Sequence, residues 1–225
     1  MYSVISRKIS QVVGDPVLRR WLVGRLLCRN SGAPSFQAHQ PSYIAEFIDV
    51  PRLRPDRLSI DAVDMDGALP RRSQLVLPLA GLDLGIVAGA EAEAFDRNFE
   101  DTESLLGLHR FAWIPFINEA AKPGWVDAMW RAWLETHAEP NRGWPWHPYT
   151  VVERAINILN FSARYGVPGE TQQTLNCLYR HAEVIADGLE YWGDHNTSNH
   201  LANNGRGLYL IGLALELDWA SDLGR

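Results

Sequence analysis

The chain has 225 residues, 46% of them hydrophobic, and a formal net charge of −6 at pH 7. This length is enough to bury a core and suits one domain, or one domain with a small appendage. The acidic balance excludes the basic surface that nucleic-acid binding requires. No apolar run reaches the roughly 18 residues of a membrane span. Arginines interrupt the N-terminal apolar runs before a signal-peptide core forms, so a cytoplasmic location is the default expectation.

Residues 1–100 are expected to form one region, a helix followed by a loop-rich connector or cap. An Asp-Pro pair predicts a helix start at Pro16, and the apolar spacing extends this amphipathic helix to about Cys28. Prolines and glycines are frequent from residue 30 to 90. That texture predicts loops with a few short strands, such as one at 74–79.

Helices are expected to dominate the second region, residues 101–225. After Pro123, apolar residues recur at helical spacing and predict a packed stripe of Val126, Met129, Trp130 and Trp133. Further helices at 150–165 and from 168 to about 192, joined by short loops, predict antiparallel helical hairpins. We interpret His181 as structural, and the two cysteines, Cys28 and Cys177, as core residues.

Aromatic residues without helical periodicity mark the loop NRGWPWHPY at residues 141–149. Such side chains can stack on the apolar faces of sugar rings. The sequence equally allows them to close the end of a helix bundle. The loop aromatics in question are Trp144, Trp146, His147 and Tyr149.

The stretch from residue 194 to 217 combines two chemistries. Its second half, from residue 208, is apolar on almost every side and predicts a buried helix. If the helix begins at Thr197 or Ser198, its first turns carry the polar residues Asn199, His200, Asn203 and Asn204. Exposed backbone N–H groups and the helix dipole would favour an anion there. The alternative is that these residues only cap the helix.

Metal and nucleophile motifs are not expected to explain the chain. His195 and His200 are five residues apart, which does not align them on a helix face, and no HExxH motif or cysteine pair accompanies them. The acidic run at residues 61–66 lacks the later glutamate of a calcium loop. There is also no GxSxG motif or phosphate-binding glycine loop. We therefore predict neither a metal site nor a cofactor.

Three segments of the chain carry a family resemblance. Residues 198–216, SNHLANNGRGLYLIGLALE, are similar to the asparagine-histidine helix of heparinase II/III-like polysaccharide lyases, which has the pattern NHLL-x-N-x-x-AL-x-x-G. Residues 146–161 resemble the W-x-PY-x-x-x-x-R-x-x-N segment of the family through Trp146, Pro148, Tyr149, Arg154 and Asn157. A weaker match is LLGLHRFAWI at residues 105–114. The order and spacing are those of the family.

These lyases cleave uronic-acid polysaccharides by β-elimination. The C5 proton becomes acidic enough to remove only when donors neutralise the adjacent carboxylate. The resemblance implies that Asn199 and His200 do this. It also implies an acidic polysaccharide as the partner, and a periplasmic location becomes possible. The residues expected to contact the substrate are Trp144, Trp146, His147, Tyr149, Arg154, Asn157 and Asn203.

The implied fold is mainly α, an incomplete (α/α) toroid of antiparallel helical hairpins after a loop-rich N-terminal region with a few short strands. The family's main tyrosine and further histidines follow this helix, so we expect the N-terminal part of a lyase, inactive alone. A partial ring predicts that the flank of residues 208–217 needs missing C-terminal segments or self-association to cover it.

Two competing functions remain open. One is a non-catalytic carbohydrate-binding or scaffold module with the same fold. The other is an (α/α) glycoside hydrolase, for which Glu153, Glu183 and Asp194 are the nearby carboxylates.

Overall fold

The computed structural model describes residues 12–13, 16–29, 73–190 and 199–225. The predicted helix starts at residues 197 and 198 and the acidic run at 61–66 lie outside these ranges. In chain order the elements are α1 (Pro16–Leu26), β1 (Gln74–Pro78), β2 (Asp83–Val87), α2 (Glu91–Phe95), α3 (Thr102–His109), α4 (Lys122–His137), α5 (Pro148–Tyr165), α6 (Thr171–Asp187), α7 (Asn199–Ala214) and α8 (Asp218–Leu223). Short 3-10 turns occur at Ile114–Phe116 and Trp144–Trp146.

The described part is therefore mainly helical, with one small antiparallel sheet, as the sequence predicted. The hairpin of β1 and β2 alternates buried and exposed residues, because successive side chains on a strand point to opposite faces. Its register pairs Gln74 with Val87 and Pro78 with Asp83. The buried face contributes leucines and an isoleucine to the same apolar core as the helices.

Tryptophans fill the centre of this core. Trp130 and Trp133 of α4 are fully buried and stack with their ring centroids 5.2 Å apart, which confirms the predicted stripe. Cys177 and His181 of α6 are also buried, as expected. The core interpretation is wrong for Cys28, which is exposed.

Local signals explain where the helices begin and end. Pro148 occupies the first turn of α5, where its missing N–H costs nothing, and Gly166 ends that helix with a φ of 97°. The Glu170 side chain caps α6 by accepting from two backbone N–H groups, those of Gln172 and Gln173. The sixth helix therefore starts three residues later than Pro168, the predicted start.

Part of the flank of residues 208–217, which was expected to lie uncovered, is covered within the chain. Leu208, Ile211, Leu215 and Leu217 are buried, while Leu213 is exposed. Helix α8 folds back onto α7 at Gly212, where an added Cβ would lie 2.3 Å from the Ser221 nitrogen. Helix α8 thus covers part of this flank. Whether a partner binds elsewhere stays a prediction.

Helix α7 also packs closely on α5. An added Cβ at Gly207 would lie 1.9 Å from Cγ2 of Val152, so only glycine allows this approach of the two helices. The close contact holds the middle of α7 against the second turn of α5. In the described ranges, no helix is both long and apolar enough to cross a membrane.

Candidate functional site

The first turn of α7 brings His200 onto Tyr149, near the start of α5. Their ring centroids are 4.2 Å apart with planes inclined by 30°, which is a stacked pair. The His200 side chain keeps 39% of its surface exposed, and its Nδ1 lies 3.0 Å from Oε1 of Glu190. Asn199, the preceding residue, is exposed. The two residues predicted to neutralise a carboxylate therefore lie at a solvent-accessible helix start.

Glu190 connects the ends of three helices. Besides its contact with His200, Oε1 lies 3.9 Å from Nε2 of His147, and Oε2 accepts from Nδ2 of the buried Asn204 at 3.3 Å. Only 10% of the Glu190 side chain is exposed. Its backbone adopts a left-handed φ of 54°, which is uncommon for a residue with a side chain. This carboxylate orients the His200 ring and tethers it to the loop before α5.

Two further predicted residues make side-chain contacts beside this pair. Asn203 donates a hydrogen bond to Oε1 of Glu153 on α5. Asn157 donates to the backbone carbonyl of Arg110 at 2.9 Å. The Arg110 guanidinium carbon in turn lies 4.9 Å from the Tyr149 ring centroid. We refer to Arg110, Tyr149, Glu190 and His200, with Asn199 and Asn203, as the α7 cluster.

Arg154 lies in the core instead of at this surface. It is fully buried; its Nε donates to Nε2 of His181 at 2.8 Å, and Nη1 donates to the carbonyls of His109 and Pro145. Its guanidinium carbon is 4.0 Å from the Trp133 ring centroid. Burial lowers the pKa of Arg154 to about 9. No guanidinium surface remains for an acidic ligand, so the structure supports a role for Arg154 in joining α3, α5 and α6.

The loop aromatics separate into two groups. Trp146 is only 3% exposed, and its Nε1 donates to the carbonyl of His137 at 2.8 Å, so it closes the core. Trp144 is 49% exposed, and its ring lies 5.5 Å from that of His147. These residues line a surface pocket of about 510 Å³ together with Asn141 and Arg142. A single indole face is thus available to a ligand, beside the histidine that approaches Glu190.

Buried histidines surround Arg154. Burial and the nearby Arg154 charge lower the pKa of His109 to about 3, and the same causes hold the pKa of His181 well below its usual value. The His109 Nδ1 accepts from Trp133 Nε1 at 3.2 Å, and His181 Nε2 accepts from Arg154. Both rings are therefore neutral acceptors inside the core, and neither can act as a proton donor at neutral pH.

Sequence reasoning missed Glu190 and Arg110. A detectable signal existed for Arg110, because it lies inside the segment 105–114 that carries part of the family resemblance. Nothing in the sequence pattern pointed to Glu190, whose side chain is aimed by a left-handed turn after α6. Within the ranges that the structure describes, histidines, cysteines and carboxylates form no group of three that could hold a metal ion.

Comparison with known proteins adds no assignment. No family model, no curated protein and no solved structure matches this chain.

Proposed function

We propose that the chain is the N-terminal, helical part of a heparinase II/III-like polysaccharide lyase that cleaves an acidic polysaccharide by β-elimination. In this proposal the helices belong to an incomplete (α/α) toroid. The observation that supports it best is that the three segments of the resemblance meet at one point. His200 stacks on Tyr149, and Tyr149 lies under Arg110, so each of the three segments contributes at least one residue to the α7 cluster.

The proposed chemistry starts with the uronate carboxylate. The Asn199 amide and the His200 imidazolium donate hydrogen bonds to it, the imidazolium through Nε2 because Nδ1 faces Glu190. These bonds stabilise negative charge on the carboxylate and make the C5 proton more acidic. A base then removes that proton, and an acid protonates the oxygen that leaves C4, so a C4–C5 double bond forms. We assign no residue of this chain to the base or the acid.

The net charge of −6 does not oppose such a ligand at contact distance. Salt screens the diffuse field of the protein within about 10 Å at ordinary ionic strength. Glu190 contacts His200 directly, so a uronate carboxylate that binds here needs hydrogen-bond donors or a positive charge beside it. Local donors therefore decide whether a carboxylate binds.

A test compares binding and cleavage by the 225-residue chain. Oligosaccharides of alginate, polygalacturonate and heparan sulfate are titrated by calorimetry, and the ultraviolet absorbance of the unsaturated product reports cleavage. We expect Asn199→Ala and His200→Ala each to weaken binding of the preferred oligosaccharide by about tenfold, the usual cost of a hydrogen bond to a charged group. Asn160→Ala, at another exposed helical position, is the matched control.

Equal affinities for the wild type, His200→Ala and Asn160→Ala would remove the carboxylate-binding role. In any complete lyase that contains this segment, either cluster substitution should lower turnover by about two to three orders of magnitude.

A non-catalytic carbohydrate-binding module is the second candidate, and the exposed Trp144 favours it. An indole beside a pocket lined by an asparagine, an arginine and a histidine can hold a sugar ring without any proton transfer. Saturable binding with no unsaturated product from this chain, and none from a longer form of it, would select this alternative.

A further inference from the structure

We infer that Arg110, rather than Arg154, is the arginine that contacts the acidic group of the ligand and gives the α7 cluster its preference for uronates over neutral sugars. The inference rests on the proposed function, because it names the residue that recognises the uronate carboxylate at that same site. Arg110 follows directly after α3, and its guanidinium lies over the ring of Tyr149.

The position of Arg110 within the cluster is defined by two ring contacts. Its guanidinium carbon is 4.9 Å from the Tyr149 centroid, and the same ring stacks on His200 at 4.2 Å. Stacking on an aromatic face keeps a guanidinium oriented while leaving its terminal N–H groups able to pair with a carboxylate. The Asn157 side chain fixes the Arg110 backbone by donating to its carbonyl.

The hydrogen-bonding capacity of Arg110 is poorly used in this structure. Its ion pair with Glu103 has an N–O distance of 3.4 Å, and the Glu103 side chain is 64% exposed. Such a pair with an exposed carboxylate contributes little to stability. The Arg110 Nε is buried without a hydrogen-bond partner in the part of the chain that the structure describes. A ligand carboxylate can therefore replace Glu103 with little loss.

The other charges of the cluster explain why a cation is required. Glu190 is hydrogen-bonded to His200 and Asn204, and Glu153 accepts from Asn203. Two carboxylates thus lie near the point where a uronate would bind, and without a neighbouring cation they would repel it. Arg110 supplies that cation from the C-terminal end of α3. The charge of Arg154, by contrast, is enclosed by the core.

Calorimetry on the full chain tests this assignment. The probes are the oligosaccharides of alginate, polygalacturonate and heparan sulfate, and the methyl-esterified galacturonate oligosaccharide serves as the neutral counterpart. Arg110→Gln should weaken binding of the preferred acidic probe by about tenfold or more and leave the neutral probe unchanged. Arg110→Lys should recover part of the loss, because it restores the charge without the planar fork.

Arg164→Gln is the matched control. Arg164 also lies over a tyrosine ring, at 5.3 Å from Tyr165, and also pairs with an exposed glutamate, Glu119. It is 15 residues further along α5 than Tyr149, a distance of about 22 Å on a helix. Thermal unfolding of each variant separates lost binding from lost folding.

The outcomes distinguish failure of the Arg110 assignment from failure of the proposed function. Acidic binding that Arg110→Gln weakens and Arg164→Gln does not supports the assignment of Arg110. Equal effects of the two variants, or equal affinity of the wild type for acidic and neutral probes, overturn this assignment and leave carbohydrate binding intact. A wild type that binds none of the probes overturns the proposed function itself, and the role of Arg110 with it.

Discussion

The buried histidine His109 predicts that the protein loses stability as the pH falls from 7 to 5. Its pKa is about 3 in the folded protein, against 6.5 for an ordinary histidine. Between these values the unfolded chain binds a proton that the folded chain rejects. The free energy of unfolding therefore rises with pH in this window and falls on acidification. Protonation would place a second positive charge beside Arg154 in the core.

The size of the stability loss follows from how far the pH falls below the pKa of His109 in the unfolded chain. At pH 5 the unfolded His109 lies about 1.5 pH units below its pKa, and each unit contributes about 1.4 kcal/mol, which gives a loss of about 2 kcal/mol. His181 changes stability in the same direction, because burial also lowers its pKa. The carboxyls of Asp101 and Glu119 have lowered pKa values in the folded protein, and their unfolded values of 3.8 and 4.5 lie below pH 5, so they add little to the loss between pH 7 and pH 5.

Urea unfolding followed by tryptophan fluorescence at pH 7 and pH 5 measures this effect. The variant His109→Asn cannot titrate but keeps an acceptor for the Trp133 indole, and it shares every other titrating group with the wild type. The wild type should lose about 2 kcal/mol more than the variant between the two pH values. Identical losses, or a His109 pKa near 6.5 by NMR, would refute the reasoning.

Two further predictions concern packing and ligand contact. Gly207→Ala forces a Cβ against Val152 and should cost about 1–3 kcal/mol of unfolding free energy in urea melts, whereas Gly85→Ala, with nothing within 4 Å of the added Cβ, should stay near wild type. Trp146→Ala should cost about 3–5 kcal/mol of stability because its indole fills the core. Trp144→Ala should leave the melting curve nearly unchanged but cost more than about 1 kcal/mol of oligosaccharide binding by calorimetry. If Trp144→Ala lost stability and Trp146→Ala lost only binding, the assignment of Trp146 to the core and of Trp144 to the ligand would be contradicted.

The spacing of apolar residues predicted the helices correctly. We did not predict that a polar residue, Arg154, would lie on the buried side of α5. Val151, Ala155 and Ile158 predicted α5 correctly because their spacing places them on one face. Arg154 lies three residues after Val151 and four before Ile158, so the same spacing placed it on the buried face. Its likeness to a family arginine favoured a ligand role, whereas the structure places its side chain fully inside the core.

The other differences between the prediction and the structure arise from contacts between residues that are far apart in the sequence. The cover that α8 provides for α7 depends on the absence of a side chain at Gly212, where two backbones approach. A glycine in an apolar helix can have several causes, so the sequence alone did not show that Gly212 packs against α8. Glu190 reaches His200 through a left-handed turn, and no local pattern predicts such a side-chain direction. The position of a side chain on a regular helix is therefore easier to predict from the sequence than that of a side chain placed by a turn.

The most direct test of the central claim is an NMR titration of the histidine ring signals with an acidic oligosaccharide. The account predicts a saturable shift of the His200 signal at the same ligand concentration as calorimetric binding, while the buried His109 and His181 signals stay in place. The methyl-esterified counterpart should give a smaller shift at any concentration. Binding that moves other signals and leaves His200 unchanged would contradict the assignment of the α7 cluster as the uronate site.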